Sequence, residues 1–179
     1  MPDIEGLYME LWDAFVNSVD KNLKYLEDEY GFKKVSVQLP FVIYESSFLR
    51  IRVYYECGGR FELDLDIEPF ERIDKLGRSF DLAGIIHLHN LVEYRKYEVR
   101  YPRTKEEIET GVQELARLLK EYGAAVLHGD FYDLRELAEL SYEAEEILKK
   151  NPRLALEKTL DRFADELFLK YAKKHRKHT

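Results

Sequence analysis

Two histidines separated by one residue, His87 and His89, are the side chains best suited by type to hold a metal ion. On a β-strand this spacing places both imidazoles on one face, where they can ligate the same ion. On an α-helix the two side chains diverge. A third histidine, His128, could join them only through the fold, and no cysteine or acidic cluster lies nearby at ligand spacing. No metal ligand and no cofactor is therefore assigned from the sequence.

A row of acidic residues occupies alternate positions in a segment with β-like periodicity. Its members are Glu62, Asp64, Asp66 and Glu68. Such a row could bind Mg²⁺ or a basic partner. The solvent side of a half-buried hairpin shows the same alternation, and Arg50 and Arg52 are placed to neutralise its centre. We interpret the row as the solvent face of a hairpin.

The triplet His128-Gly129-Asp130 resembles the catalytic loop of aminoglycoside phosphotransferases. In that family the Asp acts as base and an Asn five residues later binds metal. Here that position is Arg135, a cation where a metal ligand is needed, and no glycine-rich phosphate loop lies upstream. The alternative is structural: Gly129 ends a short helical turn that begins after Gly123, and Asp130 caps the next helix. This alternative fits better, so no catalytic residue is assigned.

The composition is that of a globular domain. The chain has 179 residues, 45% of them hydrophobic, with 13 Tyr and 10 Phe, which predicts one domain over residues 1–179. A single cysteine, Cys57, fits a reducing compartment. The segment Met1–Glu5 does not have the pattern of a secretory signal, and no apolar run approaches the roughly 20 residues of a spanning helix. We expect a cytoplasmic protein without membrane contact.

Charge is unevenly distributed along the chain. The net charge is −7, but residues 170–179 carry five basic side chains and no acid. The remainder holds 23 basic against 35 acidic residues, a charge of −12. An acidic body repels phosphate backbones, so nucleic-acid binding is not expected, although the basic tail could contact nucleic acid. Charged residues make up 35% and Gln is nearly absent, as in thermophile proteins.

Periodicity predicts an α+β fold. Apolar residues recur at helical spacing over residues 4–30, and Gly31 ends that helix. Residues 33–68 alternate with period two and predict an antiparallel sheet of about four strands. A helical half over residues 104–174 follows.

The hairpin of residues 48–67 has a predicted register. A two-residue loop at Gly58-Gly59 would mix the apolar and polar faces. A three-residue loop keeps them apart and places Val53 opposite Leu63 and Ile51 opposite Leu65. It also places Arg52 opposite Asp64 and Arg50 opposite Asp66, pairings of opposite charge that stabilise a sheet.

The second half begins with its least regular part. Residues 80–88 are compatible with a short helix started by Ser79 or with a strand, and we favour the helix, while residues 91–101 are expected to be extended. Thr104 and Glu107 then form a capping box that begins a helix. Asn151-Pro152 is expected to start the last helix.

Four short stretches share a pattern. Leu26–Phe32 reads Leu-Glu-Asp-Glu-Tyr-Gly-Phe and is followed by Val42–Ser46, while Leu118–Gly123 ends in Tyr-Gly and Leu127–Phe131 contains Gly-Asp-Phe. This pattern resembles a family of short, uncharacterised prokaryotic α+β proteins, over roughly residues 20–140. The motifs carry no established chemistry, so the resemblance implies no catalytic residue. Some small proteins of this kind are regarded as immunity proteins, which bind a cognate toxin.

Three functional hypotheses follow. The first is a non-enzymatic protein that acts through protein–protein contact, immunity-like, with an acidic body suited to masking a basic toxin; a homodimer is also expected. The second is a small phosphotransferase or metal-dependent hydrolase that uses Asp130 with His128, or with His87 and His89. The third is nucleic-acid binding through residues 170–179.

Overall fold

The computed structural model describes residues 4–57, 59–73, 79–97 and 100–150. Its architecture is α+β, as predicted. Two helices, α1 (Ile4–Asn22) and α2 (Lys24–Asp28), precede an antiparallel sheet. The strands are β1 (Lys33–Gln38), β2 (Phe41–Glu45), β3 (Leu49–Tyr55), β4 (Leu63–Pro69) and β5 (Phe80–Asp81). They lie side by side in chain order, so the sheet has five strands where about four were expected.

Helices complete the described chain after the sheet. They are α3 (Leu82–His89), α4 (Leu91–Tyr94), α5 (Lys105–Tyr122), α6 (Ala124–Leu127) and α7 (Tyr132–Lys150). The predicted helix from Asn151-Pro152 and the basic tail of residues 170–179 lie outside the described residues. Among the described helices, none has the length and apolar composition needed to cross a membrane.

One face of the sheet and the long helices enclose the core. The alternate residues Leu49, Ile51, Val53 and Tyr55 of β3 are fully buried, as the period-two pattern predicted. Phe15 of α1 and Leu115 of α5 are also fully buried, and these two helices pack against each other. The helices therefore cover one face of the sheet, while the intervening residues of β3 point to the other face.

The predicted helix over residues 4–30 is two helices with a break at Leu23. The side-chain amide of Asn22 donates a hydrogen bond of 2.9 Å to the carbonyl of Ser18. The backbone ladder continues to Leu23, whose amide bonds the carbonyl of Val19 at 2.9 Å, and then tightens, since the amide of Leu26 bonds the carbonyl of Leu23 three residues before it. Gly31 ends the pair with φ +71°, in the left-handed region that favours glycine, as predicted.

The predicted hairpin register is wrong by two residues. Val53 lies opposite Leu65 and Arg52 opposite Asp66, and Tyr55–Leu63 is the last pair before the loop. A slip of two residues keeps every side chain on its own face, so the facial pattern cannot distinguish the two registers. The loop over residues 56–62 is longer than predicted because Phe61, at φ +59°, leaves the strand; its ring packs near Tyr8, with the centroids 6.4 Å apart.

The segment before α5 differs from its prediction in two places. The helix α3 begins after Asp81 and not at Ser79, because the Asp81 carboxylate accepts a hydrogen bond of 2.7 Å from the amide of Gly84. Residues 91–94 are helical, although an extended chain was expected. The cause is Asn90, whose side-chain oxygen accepts from the amide of Glu93 at 3.1 Å.

The capping box at the start of α5 is confirmed. The Thr104 hydroxyl accepts from the amide of Glu107 at 3.2 Å, and the Glu107 carboxylate accepts from the amide of Thr104. We expect Thr104→Ala to lower the free energy of unfolding by about 1 kcal/mol, because one amide loses its acceptor. Thr110→Ala, on an exposed turn of the same helix, is the matched control and should be neutral or slightly stabilising. Urea denaturation measures both; equal effects would contradict the role of the cap.

Candidate functional site

The structural interpretation of His128-Gly129-Asp130 is confirmed. Gly129 has φ +88° and follows the short helix α6, and the Asp130 carboxylate accepts a hydrogen bond of 3.0 Å from the amide of Tyr132, the first residue of α7. The ring of His128 packs against that of Tyr30, with centroids 4.8 Å apart. Arg135 forms an ion pair of 2.6 Å with Glu71. These residues therefore join two helices.

His87 and His89 lie on the helix α3 and diverge. The buried ring of His87 stacks on Tyr94 with centroids 3.9 Å apart and nearly parallel planes. The Nε2 atom of His89 lies 2.7 Å from the carboxylate of Asp133 on α7. Among the described residues, no group of three or more His, Cys, Asp or Glu side chains has an arrangement that could hold a metal ion.

The contact between His89 and Asp133 predicts a pH dependence of stability. The hydrogen bond to Asp133 raises the pKa of His89 above its ordinary value of 6.5. The stabilisation is therefore fully present below the unfolded-state pKa and is lost as pH rises through the higher folded-state pKa. We expect the stability advantage of wild type over His89→Ala to be larger at pH 5.5 than at pH 8.5. Thermal unfolding at both pH values measures it; an advantage that grows with pH would contradict the assignment.

The acidic row lies on the face of the sheet opposite the helices, which we name the outer sheet face. Cross-strand pairing places its side chains in neighbouring columns along β2, β3, β4 and β5. The strand residues of the outer sheet face are Phe41, Ile43, Glu45, Arg50, Arg52, Tyr54, Asp64, Asp66, Glu68 and Asp81. The predicted separation of the polar side of the hairpin from its apolar side is thus confirmed, and the polar side extends over four strands. It is not solvent-exposed throughout, because Asp64 is buried.

Two arginines occupy the centre of this face. Arg52 donates to Asp66 at 2.9 Å, and Arg50 bonds both Glu45 at 2.7 Å and Glu68 at 3.1 Å. Aromatic rings border the guanidinium groups: Phe41 lies 5.9 Å from Arg52 and the exposed Phe70 lies 5.7 Å from Arg50, measured to the ring centroids. Ion pairs and cation–π contacts together hold both arginines in place.

Asp64 is the buried carboxylate of the face. It accepts a hydrogen bond of 2.5 Å from the Tyr97 hydroxyl and one of 2.8 Å from the amide of Leu65. Burial raises the pKa of Asp64, the two hydrogen bonds offset only part of this increase, and the carboxylates of Asp81 and Asp66 add to it. The Asp64 anion is therefore incompletely stabilised.

The pKa of Asp66 is also raised, although Asp66 forms an ion pair with Arg52. Burial raises its pKa more than the charge and hydrogen bond of Arg52 lower it, and Asp81 and Glu68 raise it further. Among the described residues, the face carries five carboxylates and two guanidinium groups. It therefore presents an excess of negative charge next to aromatic side chains.

Cys57 and a surface groove beside α5 lie outside the outer sheet face. Cys57 is buried, and burial raises the pKa of its thiol, so it is not an activated nucleophile. An open groove of about 1160 Å³ lies between residues 100–104 and α5, with Thr104, Glu114 and Arg117 in its lining. Its described lining includes the capping residues Thr104 and Glu107, but no residue of the acidic row, of the His87/His89 pair or of His128-Gly129-Asp130.

Sequence reasoning did not find every member of the face. It named the acidic row and the two arginines, but not Tyr97, Asp81, Phe41 or Phe70. Phe41 begins β2 and Phe70 directly follows β4, so alternation along these strands could have placed both. Tyr97 lies 33 residues from Asp64 in an irregular segment, where no local pattern predicts the contact. Comparison with protein-family models, curated proteins and solved structures finds no match to this chain.

Proposed function

We propose that this chain is a non-enzymatic cytoplasmic protein that binds a basic protein partner through the outer sheet face, as immunity proteins bind toxins. The observation that carries the proposal is the excess of carboxylates on a rigid sheet surface. The five carboxylates are Glu45, Asp64, Asp66, Glu68 and Asp81. A partner with lysines and arginines complements such a surface, which favours both specificity and fast association.

The electrostatics of Asp64 and Asp66 support a cationic partner. Their raised pKa values mean that the surrounding groups do not fully stabilise the two anions. Perturbed carboxylates of this kind concentrate at functional sites. A lysine or arginine brought close by a partner would stabilise the anions and lower both pKa values.

The aromatic and arginine side chains of the face suit a protein interface. Tyr, Phe and Arg are enriched at the centres of interfaces and supply much of their binding energy. Here Phe41 and Tyr54 contact each other with centroids 6.1 Å apart, and Tyr54 also donates to Glu62 at 2.9 Å. Because strands and ion pairs hold these side chains, little side-chain entropy remains to be lost on binding.

The positions of the histidines favour binding over the enzyme hypothesis. His87 contacts Tyr94, His89 contacts Asp133 and His128 contacts Tyr30. Each of these three imidazoles has a different structural neighbour, so within the described residues the phosphotransferase and hydrolase hypotheses have no shared histidine site.

Affinity capture with matched charge-reversal variants tests the proposal. The immobilised chain should retain a basic protein from a lysate of its source, and the purified partner should bind it directly. Glu68→Lys should weaken that binding at least about tenfold, since each close charge pair at an interface contributes more than about 1.4 kcal/mol. Arg50 keeps Glu45 as its ion-pair partner in this variant, so the fold is expected to be retained.

Glu109→Lys is the control, because it reverses an exposed carboxylate on α5, which pairs with Lys21 at 2.6 Å. Its binding should match that of wild type. If the partner is a toxin, co-expression of wild type but not Glu68→Lys should relieve growth arrest. Equal binding by both variants would contradict the proposed surface, and stoichiometric bound metal in the purified chain would favour a hydrolase instead.

A further inference from the structure

The first strand of the sheet, β1, exposes apolar side chains at an edge. Among the described residues it pairs only with β2, so its other side has no neighbouring strand. Val35 and Val37 of this strand are 50% and 46% exposed, and Leu39, in the turn that follows, is 55% exposed. An exposed apolar edge strand is a template for pairing with a further strand.

Two features that normally prevent edge pairing, lysines and a β-bulge, lie in the first half of β1. Lys33 and Lys34 place charges there, and the register with β2 shifts between Lys34 and Ser36, which marks a β-bulge. The ammonium of Lys34 is bound to Asp20 of α1 at 2.6 Å. From Ser36 to Leu39 the chain carries no charge, so this part of the edge remains open to pairing.

We propose that β1 pairs antiparallel with β1 of a second copy of the chain. A two-fold axis through Val37 places Val37 opposite its own symmetry mate and Ser36 opposite Gln38, and it brings the bulge residue Val35 next to Leu39 of the following turn. Apolar side chains then meet apolar ones and polar side chains meet polar ones, which stabilises neighbouring strands. No lysine faces a lysine, because Lys34 falls opposite Pro40. This self-complementarity of charge and polarity identifies a second copy as the occupant of the edge.

The dimer would join two sheets into one of ten strands. The two-fold axis of an antiparallel strand pair is perpendicular to the sheet, so both outer sheet faces lie on the same side. The assembly then has two adjacent copies of that surface. This proposal does not rest on the partner-binding function, because it concerns the purified chain alone.

Sedimentation equilibrium of the full chain over a range of concentrations tests the proposal. We expect a monomer–dimer equilibrium. Val37→Lys places two ammonium groups at the symmetry axis and removes an apolar contact, and it should weaken dimerisation roughly tenfold or more. Val92→Lys is the matched control, because Val92 is 65% exposed on α4, and its dimerisation should equal that of wild type. A chain that is monomeric at every concentration, or a Val37→Lys variant that dimerises like wild type, would overturn the proposal.

A cysteine at the axis tests the register without relying on a charged variant. Directly opposed residues in antiparallel strands have Cα atoms about 4.5–5.5 Å apart, within the range of a disulfide. Oxidised Val37→Cys should therefore form a covalent dimer, while Val92→Cys should not. The native Cys57 is 3% exposed and should not interfere. A dimer that Val37→Cys fails to cross-link would place the interface elsewhere and reject the β1 pairing.

Discussion

Arg52→Ala should lower the free energy of unfolding by about 2 kcal/mol, a large effect for a residue on the solvent side of a sheet. The Arg52 guanidinium donates to Asp66 at 2.9 Å and lies over the ring of Phe41. Its removal leaves a partly buried carboxylate without its cation, next to Asp81 and Glu68, and it also removes apolar packing of the arginine stem. Urea denaturation at neutral pH measures the loss.

Arg117→Ala is the matched control for this prediction. Arg117 forms ion pairs with Glu93, Glu114 and Glu121, more than Arg52 does, but its side chain is 45% exposed against 29% for Arg52. Exposed ion pairs contribute little, so we expect a loss below about 1 kcal/mol. If Arg117→Ala proved the more damaging change, the number of ion pairs would matter more than their burial, contrary to this account.

Asp64→Asn should stabilise the protein at neutral pH by about 0.5–2 kcal/mol, the usual size of a favourable single substitution. The asparagine oxygen can still accept from the Tyr97 hydroxyl and the Leu65 amide, while the cost of burying an anion disappears. Burial raises the pKa of Asp64 in the folded state, so the native protein binds more protons than the unfolded chain between the two pKa values.

The sign of the pH dependence follows from this difference. The stability of wild type relative to Asp64→Asn falls as pH rises from the unfolded-state pKa through the folded-state pKa. The advantage of the variant should therefore be smaller at pH 3 than at pH 7. Asp28→Asn is the control: it removes an exposed carboxylate paired with Lys24 at 2.7 Å and should be neutral or slightly destabilising. Destabilisation by Asp64→Asn at pH 7 would mean that the Asp64 anion is well solvated after all.

A carboxylate retained at a cost in stability fits a binding role for the outer sheet face. Natural proteins tolerate such costs where the group serves function. We expect Asp64→Asn to be more stable than wild type and to bind the basic partner more weakly. That result would show that the Asp64 carboxylate lowers stability and contributes to binding.

The facial patterns of the sheet were predictable because they depend on neighbours in sequence. The alternation of Leu49, Ile51 and Val53 with Arg50 and Arg52 correctly predicted which side faces the core. The pairing partner of each residue was not predictable, since it depends on how Phe61 leaves the strand. The cross-strand charge pairs could not decide either, because Asp64, Asp66 and Glu68 are all acidic, and each register offers Arg50 and Arg52 an acid.

The helices after the sheet contain local signals that the sequence reasoning undervalued. Asn90 followed three residues later by Glu93 is a capping signal of the same kind as Thr104 and Glu107. It predicts the helix α4 where an extended chain was expected. Tyr97 is different: its contact with Asp64 joins distant parts of the chain, so only the folded structure places it in the candidate site.

Carboxyl footprinting of the complex with the captured partner tests the central proposal most directly. Carbodiimide labelling, read by mass spectrometry, reports which carboxylates are accessible in the free chain and in the complex. The account predicts that Glu45 and Glu68 lose labelling on binding, while Glu109 on α5 is labelled equally in both states. Unchanged labelling of Glu45 and Glu68 together with protection of Glu109 would show that the partner binds the helical side, which contradicts a partner-binding outer sheet face.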